Sequence, residues 1–200
     1  MEEETTLVME RLVSQEIASD IKREHDGINH MNSEKWPNLA PPDLDAHILT
    51  WNPAERDIHD SVIEQYILDL ENESSIIWSW NVGRHKNGFK TGNMVYLLRQ
   101  GTDRRGIIAS GELIEDGVHK GRFDHDPTRE SNFVRFELQS ILSIDDRLDF
   151  EELQNLKLQG VNWNTHFPES GRTLKGPNAD ALFMLWGRHY SHVRHPGWEI

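Results

Sequence analysis

Two apolar runs of strand length, "NMVYLLRQG" (93–101) and "RGIIASGELI" (105–114), stand on either side of a charged turn bracketed by Gly101 and Gly106, and they constrain the fold more than any other feature. Runs of this length and composition, bounded by glycine, read as β-strands. Further strand-length segments surround them. "AHILTW" (46–51) is closed by Asn52-Pro53, and "SIIWSW" (75–80) is a short apolar run. In "NFVRFELQSIL" (132–142), Phe133, Arg135, Glu137 and Gln139 alternate with Val134, Phe136 and Leu138, the period of a half-exposed strand. Helical spacing appears in "ERDIHDSVIEQYILDLENE" (55–73), which puts Ile58, Val62, Ile63, Tyr66, Ile67 and Leu70 on one face. "FEELQNL" (150–156) predicts a short helix and "NADALFMLWGRHY" (178–190) a final one. Strands with helices at both ends indicate an α+β domain on a curved sheet.

The domain is expected to span 46–200, preceded by two other segments. Over residues 1–28, Met9, Val13, Ile17 and Ile21 recur every four residues beside Val8 and Leu12, an amphipathic helix that breaks at "DGINHMN". Residues 29–45 hold Pro37, Pro41 and Pro42 and read as a linker. The acidic start "MEEETTLVMERL" is unlike a signal peptide, and no apolar run approaches the ~18 residues of a membrane span, so the expectation is a soluble, cytoplasmic protein. With no cysteine, disulfide and thiolate–zinc chemistry are excluded.

A net charge of -13 opposes non-specific binding to nucleic acid, but the charge is unevenly spread. Residues 1–45 carry eleven acidic and four basic side chains. Between Arg84 and Arg122 the balance reverses: Arg84, Lys86, Lys90, Arg99, Arg104, Arg105, Lys120 and Arg122 face only Asp103, Glu112, Glu115 and Asp116. Catalytic patterns are lacking. No nucleophile elbow, P-loop or dinucleotide fingerprint occurs. His189, His192 and His195 lack metal-ligand spacing and read as a solvated C-terminal tail, and Asp124-His125 reads as a turn. The expectation is a binding protein that is not an enzyme, with no cofactor and no metal.

Trp78 and Trp80, two apart on a strand, point to one face, and Asn81, Arg84, His85 and Lys86 follow directly. An aromatic wall beside an amide and local positive charge suits an extruded base, with stacking of ~1–3 kcal/mol and the amide reading the base edge.

The segment "WSWNVGRHKNGFKTGNMVYLLRQGTDRRGIIASGEL" resembles the EVE-type modules of the PUA-like superfamily, in which a Trp, a basic segment, a Gly-bounded turn into a strand and a "GII-x-SG" strand follow in that order. "HILTWNP" and "GVNWNTHFPESG" resemble flanking segments of the versions fused to HNH nucleases, so the likeness runs from Ala46 to Trp186. It implies an α+β fold with a curved mixed sheet or small open β-barrel flanked by helices, here with the N-terminal helical extension. It also implies a reader of a modified base, 5-methylcytosine or 5-hydroxymethylcytosine in DNA, flipped into an aromatic cage in a restriction or defence setting. Carried over by position, Trp80 or Trp78 forms a cage wall, and Asn81 or Ser79 reads the base edge. Trp51, Trp163 and Asn164 support the cage, while Arg84 and Lys86 contact phosphates; His85, Lys90, Arg99, Arg104 and Arg105 extend that basic set. The chain departs from the pattern at Gly92-Asn93, where many relatives have Gly-Asp. Where fused forms continue into a nuclease this chain stops at Ile200, implying a nuclease as a separate subunit or a piece of a longer chain. Two alternatives stay open: a reader of modified RNA like the YTH branch, and a protein-interaction module in which the 8–21 stripe docks a partner or a second copy and the tryptophans are core.

About twenty residues form the N-terminal stripe, a length at which isolated helices are marginal, so packing must hold it. Deleting residues 1–30 is expected to lower the melting temperature of the monomer in calorimetry. An unchanged melting temperature with a smaller mass in light scattering would instead make the helix an assembly device.

Overall fold

The computed structural model describes residues 44–55, 58–101, 103–123, 126–158, 161, 163 and 170–196. The expected N-terminal helix and nearly all of the linker lie outside these residues. In chain order the elements are β1 (Ala46–Trp51), α1 (Asp60–Glu71), β2 (Ile77–Asn81), β3 (Met94–Arg99), β4 (Gly106–Leu113), β5 (His119–Phe123), β6 (Asp126–Ile141), β7 (Leu148–Asp149), α2 (Phe150–Asn155), β8 (Arg172–Leu174) and α3 (Pro177–Arg194). The fold is α+β: one curved mixed sheet in the order β2-β6-β4-β3-β1-β8, with β5 beside β6 and β7 beside β4. Among the described residues only β1 and β3 run parallel, Ala46 opposite Met94 and Trp51 opposite Arg99; every other pairing is antiparallel.

Curvature has a local cause. The registers of β3 with β4, of β4 with β6 and of β5 with β6 each shift once, and such bulges bend a sheet and sharpen its twist. At the second of these Gly111 lies against β6 so closely that a Cβ would stand 2.4 Å from the Glu137 carbonyl oxygen, so residue 111 cannot carry a side chain without displacing backbone.

All six residues of β3 are buried, because both faces of the central strands are covered. Val95 and Leu97 join Ile63, Trp78, Trp80, Phe136 and Leu138 in the core under α1. On the other face, Tyr96 meets Trp186 of α3 edge-on at 6.4 Å. A buried polar chain fastens α3 there: the Trp186 indole N–H donates to Ser140 Oγ at 2.9 Å, and Ser140 Oγ lies 2.7 Å from Ser110 Oγ. Helix α3 starts at Pro177, whose missing N–H costs nothing in a first turn, and runs to Arg194. The C-terminal histidines therefore stand on a helix and at its end and not on a tail: His192 is exposed, as expected, but His189 packs against Trp186 with its Nε2 2.9 Å from the Asp146 carbonyl. Among the described residues no helix is long and apolar enough to cross a membrane.

His47, fully buried in β1, joins three elements. Its Nε2 is 3.2 Å from Asn93 Oδ1 and its Nδ1 3.1 Å from Thr173 Oγ1, while Asn93 Oδ1 also accepts the Lys90 N–H at 3.1 Å. A neutral imidazole fits both contacts, with Nε2–H donating to the amide oxygen and Nδ1 accepting the threonine hydroxyl. Burial, outweighing the Asn93 bond, holds the His47 pKa below its ordinary value of 6.5. Between the lowered folded value and 6.5 the unfolded chain takes up a proton that folded His47 resists, so stability falls as pH drops through this window. Asn93→Asp would put a carboxylate against Nε2 and favour the imidazolium. Urea unfolding at pH 7.5 and 5.5 is therefore expected to show a smaller loss on acidification in this variant than in the parent.

Candidate nucleic-acid interface

Strand β2 pairs with β6 so that Trp78 lies opposite Phe136 and Trp80 opposite Val134. Both indoles turn inward, at 9 % and 8 % exposure, whereas Ile77 and Ser79 turn outward. The two indoles stack on each other, centroids 5.9 Å apart and planes 27° apart, with Tyr66 and Phe136 edge-on to Trp78. Rings at that separation are in direct contact, so no third ring fits between them. The Trp80 indole N–H donates to the Thr50 carbonyl at 3.1 Å, joining β2 to β1. Since these strands stand far apart in the sheet order, this bond closes the half-barrel across its open side.

At that closure lies a cleft of about 790 Å³. Its walls are the end of β1 with Thr50, Trp51 and Asn52, the end of β2 with Trp80 and Asn81, the turn bearing Gly83, Arg84 and Lys86, Lys120 and Phe123 of β5, and residues 129–133 of β6. Phe123 and Phe133 add aromatic surface, and Arg84, Lys86, Lys120 and Arg129 bring four cations to the lining beside Glu55 and Glu130.

Hydrogen bonds to β6 hold the cation-bearing turn. Asn132, 3 % exposed, donates from Nδ2 to the carbonyls of Gly83 at 2.9 Å and His85 at 3.2 Å, and its own carbonyl accepts from Val82 N at 2.9 Å and Asn81 Nδ2 at 3.2 Å. Asn81 Oδ1 in turn accepts from Gly83 N at 3.1 Å. The Asn132 amide must present its NH2 to the two carbonyls, which leaves Oδ1 as a buried acceptor with no hydrogen-bond partner among the described residues.

The residues singled out in the sequence divide by place. Trp51, Trp80, Asn81, Arg84 and Lys86 come together in the cleft. Trp78 stands behind Trp80 and, with Ser79, borders a neighbouring cavity. Trp163 is buried away from the cleft lining, and Asn164 lies outside the described residues. His85 is half-buried, joined to the turn through its backbone, and Lys90 is exposed but does not line the cleft.

Arg99, Arg104 and Arg105, expected among the basic contacts, are engaged within the fold at the β3–β4 turn. Buried Arg99 lies 5.5 Å over the Trp51 ring and donates to the carbonyls of Asp103 and Arg104. Arg104 is within 4 Å of carboxylates of Asp60, Asp103 and Asp145, and the Arg105 guanidinium sits 3.8 Å over Phe150. Burial lowers the pKa of both Arg99 and Arg105. Lys120, Arg129 and Asn132 line the cleft without having been singled out as site residues. No spacing in "HKGRF" or "TRESNF" marks them, and only the count of the basic island included Lys120. Among the described residues no group of three or more His, Asp or Glu side chains could hold a metal ion.

No protein-family model matches this chain, and no curated protein matches it in sequence. Solved structures to which it is similar include a hypothetical protein from Leishmania major, at 13% identity and TM-score 0.49, covering 74% of this chain and 97% of that one. Another is human THYN1 in complex with 5-methylcytosine-containing DNA, at 10% identity and TM-score 0.45, covering 70% of this chain and 96% of that one. A third is a Pseudomonas syringae protein at 10% identity and TM-score 0.44, covering 72% of this chain and 99% of that one.

Replacing Asn132 by Ala would leave the Gly83 and His85 carbonyls without their donor. Urea unfolding is expected to show a loss of about 1–3 kcal/mol, the usual consequence of stranding buried polar groups.

Proposed function

We propose that this chain is an EVE-type reader of a modified base, 5-methylcytosine or 5-hydroxymethylcytosine in DNA, and that the cleft at the sheet closure receives the base flipped from its stack. The observation that carries this reading is the gathering of four cations, Arg84 and Lys86 from the turn after β2 and Lys120 and Arg129 from β5 and β6, around one cleft bordered by Trp51, Trp80, Phe123 and Phe133, with Glu55 and Glu130 its acidic residues among those described. Cations from two separate segments suit the phosphates flanking an extruded nucleotide, and aromatic surface in the same cleft suits its ring. Asn132 braces the cleft wall from behind: its Oδ1 is buried, and it serves the site by holding the Gly83 and His85 carbonyls with its NH2. Asn81, whose amide frames the turn, supplies a second amide at the same wall.

The phosphate role rests with the four cleft cations, not with Arg99, Arg104 and Arg105, whose guanidinium groups are engaged within the fold. Extruding a base costs a few kcal/mol, which stacking of ~1–3 kcal/mol and the phosphate contacts offset. The remaining acidic surface repels duplex elsewhere, so binding is confined to the cleft. In this reading the cleft binds the base, and a restriction or defence role calls for a nuclease, on a separate subunit or in a longer chain of which this is a piece.

The test is a titration, by fluorescence anisotropy, of matched oligonucleotides carrying cytosine, 5-methylcytosine or 5-hydroxymethylcytosine, as DNA and as RNA. A modified DNA strand is expected to bind at least about tenfold more tightly than its unmodified counterpart, on the scale of one well-placed base contact. Equal affinity across the panel would sink the reading, and preference for modified RNA would move it to the YTH-like branch. Arg84→Ala with Lys86→Ala is expected to weaken modified and unmodified strands about equally and to reduce the salt slope by about 1 for each phosphate that the variant no longer neutralises.

A further inference from the structure

A second cavity, of about 360 Å³, adjoins the cleft, and Trp80, Phe123 and Phe133 border both. Its outer wall is an aromatic ladder on the β5–β6 hairpin. The Arg129 guanidinium lies 4.9 Å over Phe123, Phe123 meets Phe133 edge-on at 5.5 Å, and Phe133 stacks on His119 at 6.0 Å with planes 26° apart. Gly121 makes the ladder possible, since a Cβ there would stand 2.8 Å from the Phe133 ring. All three rings are half-buried, so each is packed and still presents surface.

Polar groups are few and aligned. His119 Nδ1 is 3.1 Å from Glu115 Oε1, which orients the ring, and its Nε2 is 3.4 Å from Ser79 Oγ. Trp78 also lines the cavity, and its buried Nε1 has no hydrogen-bond partner among the described residues. Arg122 is the cation of the lining, Ile58, Val62, Tyr66 and Ile77 add apolar wall, and among the described residues the lining contains no carboxylate, in a chain of net charge -13. The volume is at the lower end of that of small-ligand sites, enough for one planar ring and its substituents. Aromatic walls, the Ser79 and His119 polar groups and an Arg without a lining acid together suit a planar ring attached to a negative charge, as the base of a nucleotide is to its phosphate.

We propose that this cavity is a subsite for the nucleobase next to the one held in the cleft, so that the protein engages two consecutive nucleotides on either side of Trp80. This rests on the reader function proposed above. Direction along the strand follows from asymmetry: only one neighbour of the flipped base reaches the second cavity.

The experiment uses the full chain and oligonucleotides with a single 5-methylcytosine, intact or with an abasic site immediately 5′ or 3′ of it. In the parent, an abasic site on one side is expected to weaken binding about tenfold and on the other side to have little effect, the scale of one base stack removed. His119→Ala, at a half-exposed position outside the cleft, is expected to bind the intact strand about tenfold more weakly and to show no further loss with the abasic strand. Non-additivity of that kind means that the base and His119 share one interaction. Melting temperatures confirm that the variant folds. If the parent distinguishes methylated from plain cytosine but neither abasic neighbour weakens binding, or if the abasic penalty persists in His119→Ala, the subsite is wrong and the reader function stands. If the parent does not distinguish the two cytosines, the reader function fails and the subsite with it.

Discussion

Strand β6 is used on both edges at once, and the rest of the molecule hangs from it. Phe133 pairs with Asn81 on one side and His119 on the other, and Glu137 pairs with Ile77 and Glu112. Along one edge β4 and β5 follow each other; along the other lies β2 with the two tryptophans. A sixteen-residue strand with partners on both sides cannot shift by one position without turning Val134, Phe136 and Leu138 out of the core and Arg135 and Gln139 into it. Register here therefore sets which side of the sheet every neighbouring aromatic occupies.

The same strand organises the polar groups. Asn132 sits in it at a buried position and holds the carbonyls of the Gly83–His85 turn, so that Arg84 and Lys86 project from a backbone tied to the sheet. Lys120 and Arg129 come from β5 and β6 themselves. Neither pair of cations stands on a free-standing loop, so in the proposed reader these long side chains would lose less entropy on binding than those on a mobile segment.

The order of strands and helices was legible because each has a period that chemistry enforces: alternation in 132–142, apolar residues on one helical face in 58–70, and glycine-bounded runs around the β3–β4 turn. The shared face of Trp78 and Trp80 followed from strand geometry alone. Strand β5 was not legible, since "HKGRF" has no apolar alternation; the apolar packing at its centre comes from Phe133, laid over Gly121 from the next strand. The basic island was legible as composition but not as a surface. Arg99, Arg104 and Arg105 meet Trp51, Asp60, Asp145 and Phe150 between them, residues distant along the chain, and a linear charge count cannot see such partners. Asn132 escaped for a similar reason: a lone Asn before an apolar strand looks like a turn residue until the carbonyls it holds come into place.

The indole bond from Trp80 to the Thr50 carbonyl acts as a hoop around an otherwise open half-barrel. A half-barrel without it could widen or narrow with each occupant and would grade ligands by how well they persuade the walls to move. With the hoop closed, the span from β1 to β2 is the length of one tryptophan, and the cleft beside it works as a fixed gauge. In the proposed reader such a gauge would admit or refuse a base by thickness and outline, with the energy of fitting settled when the chain folds, before any partner arrives.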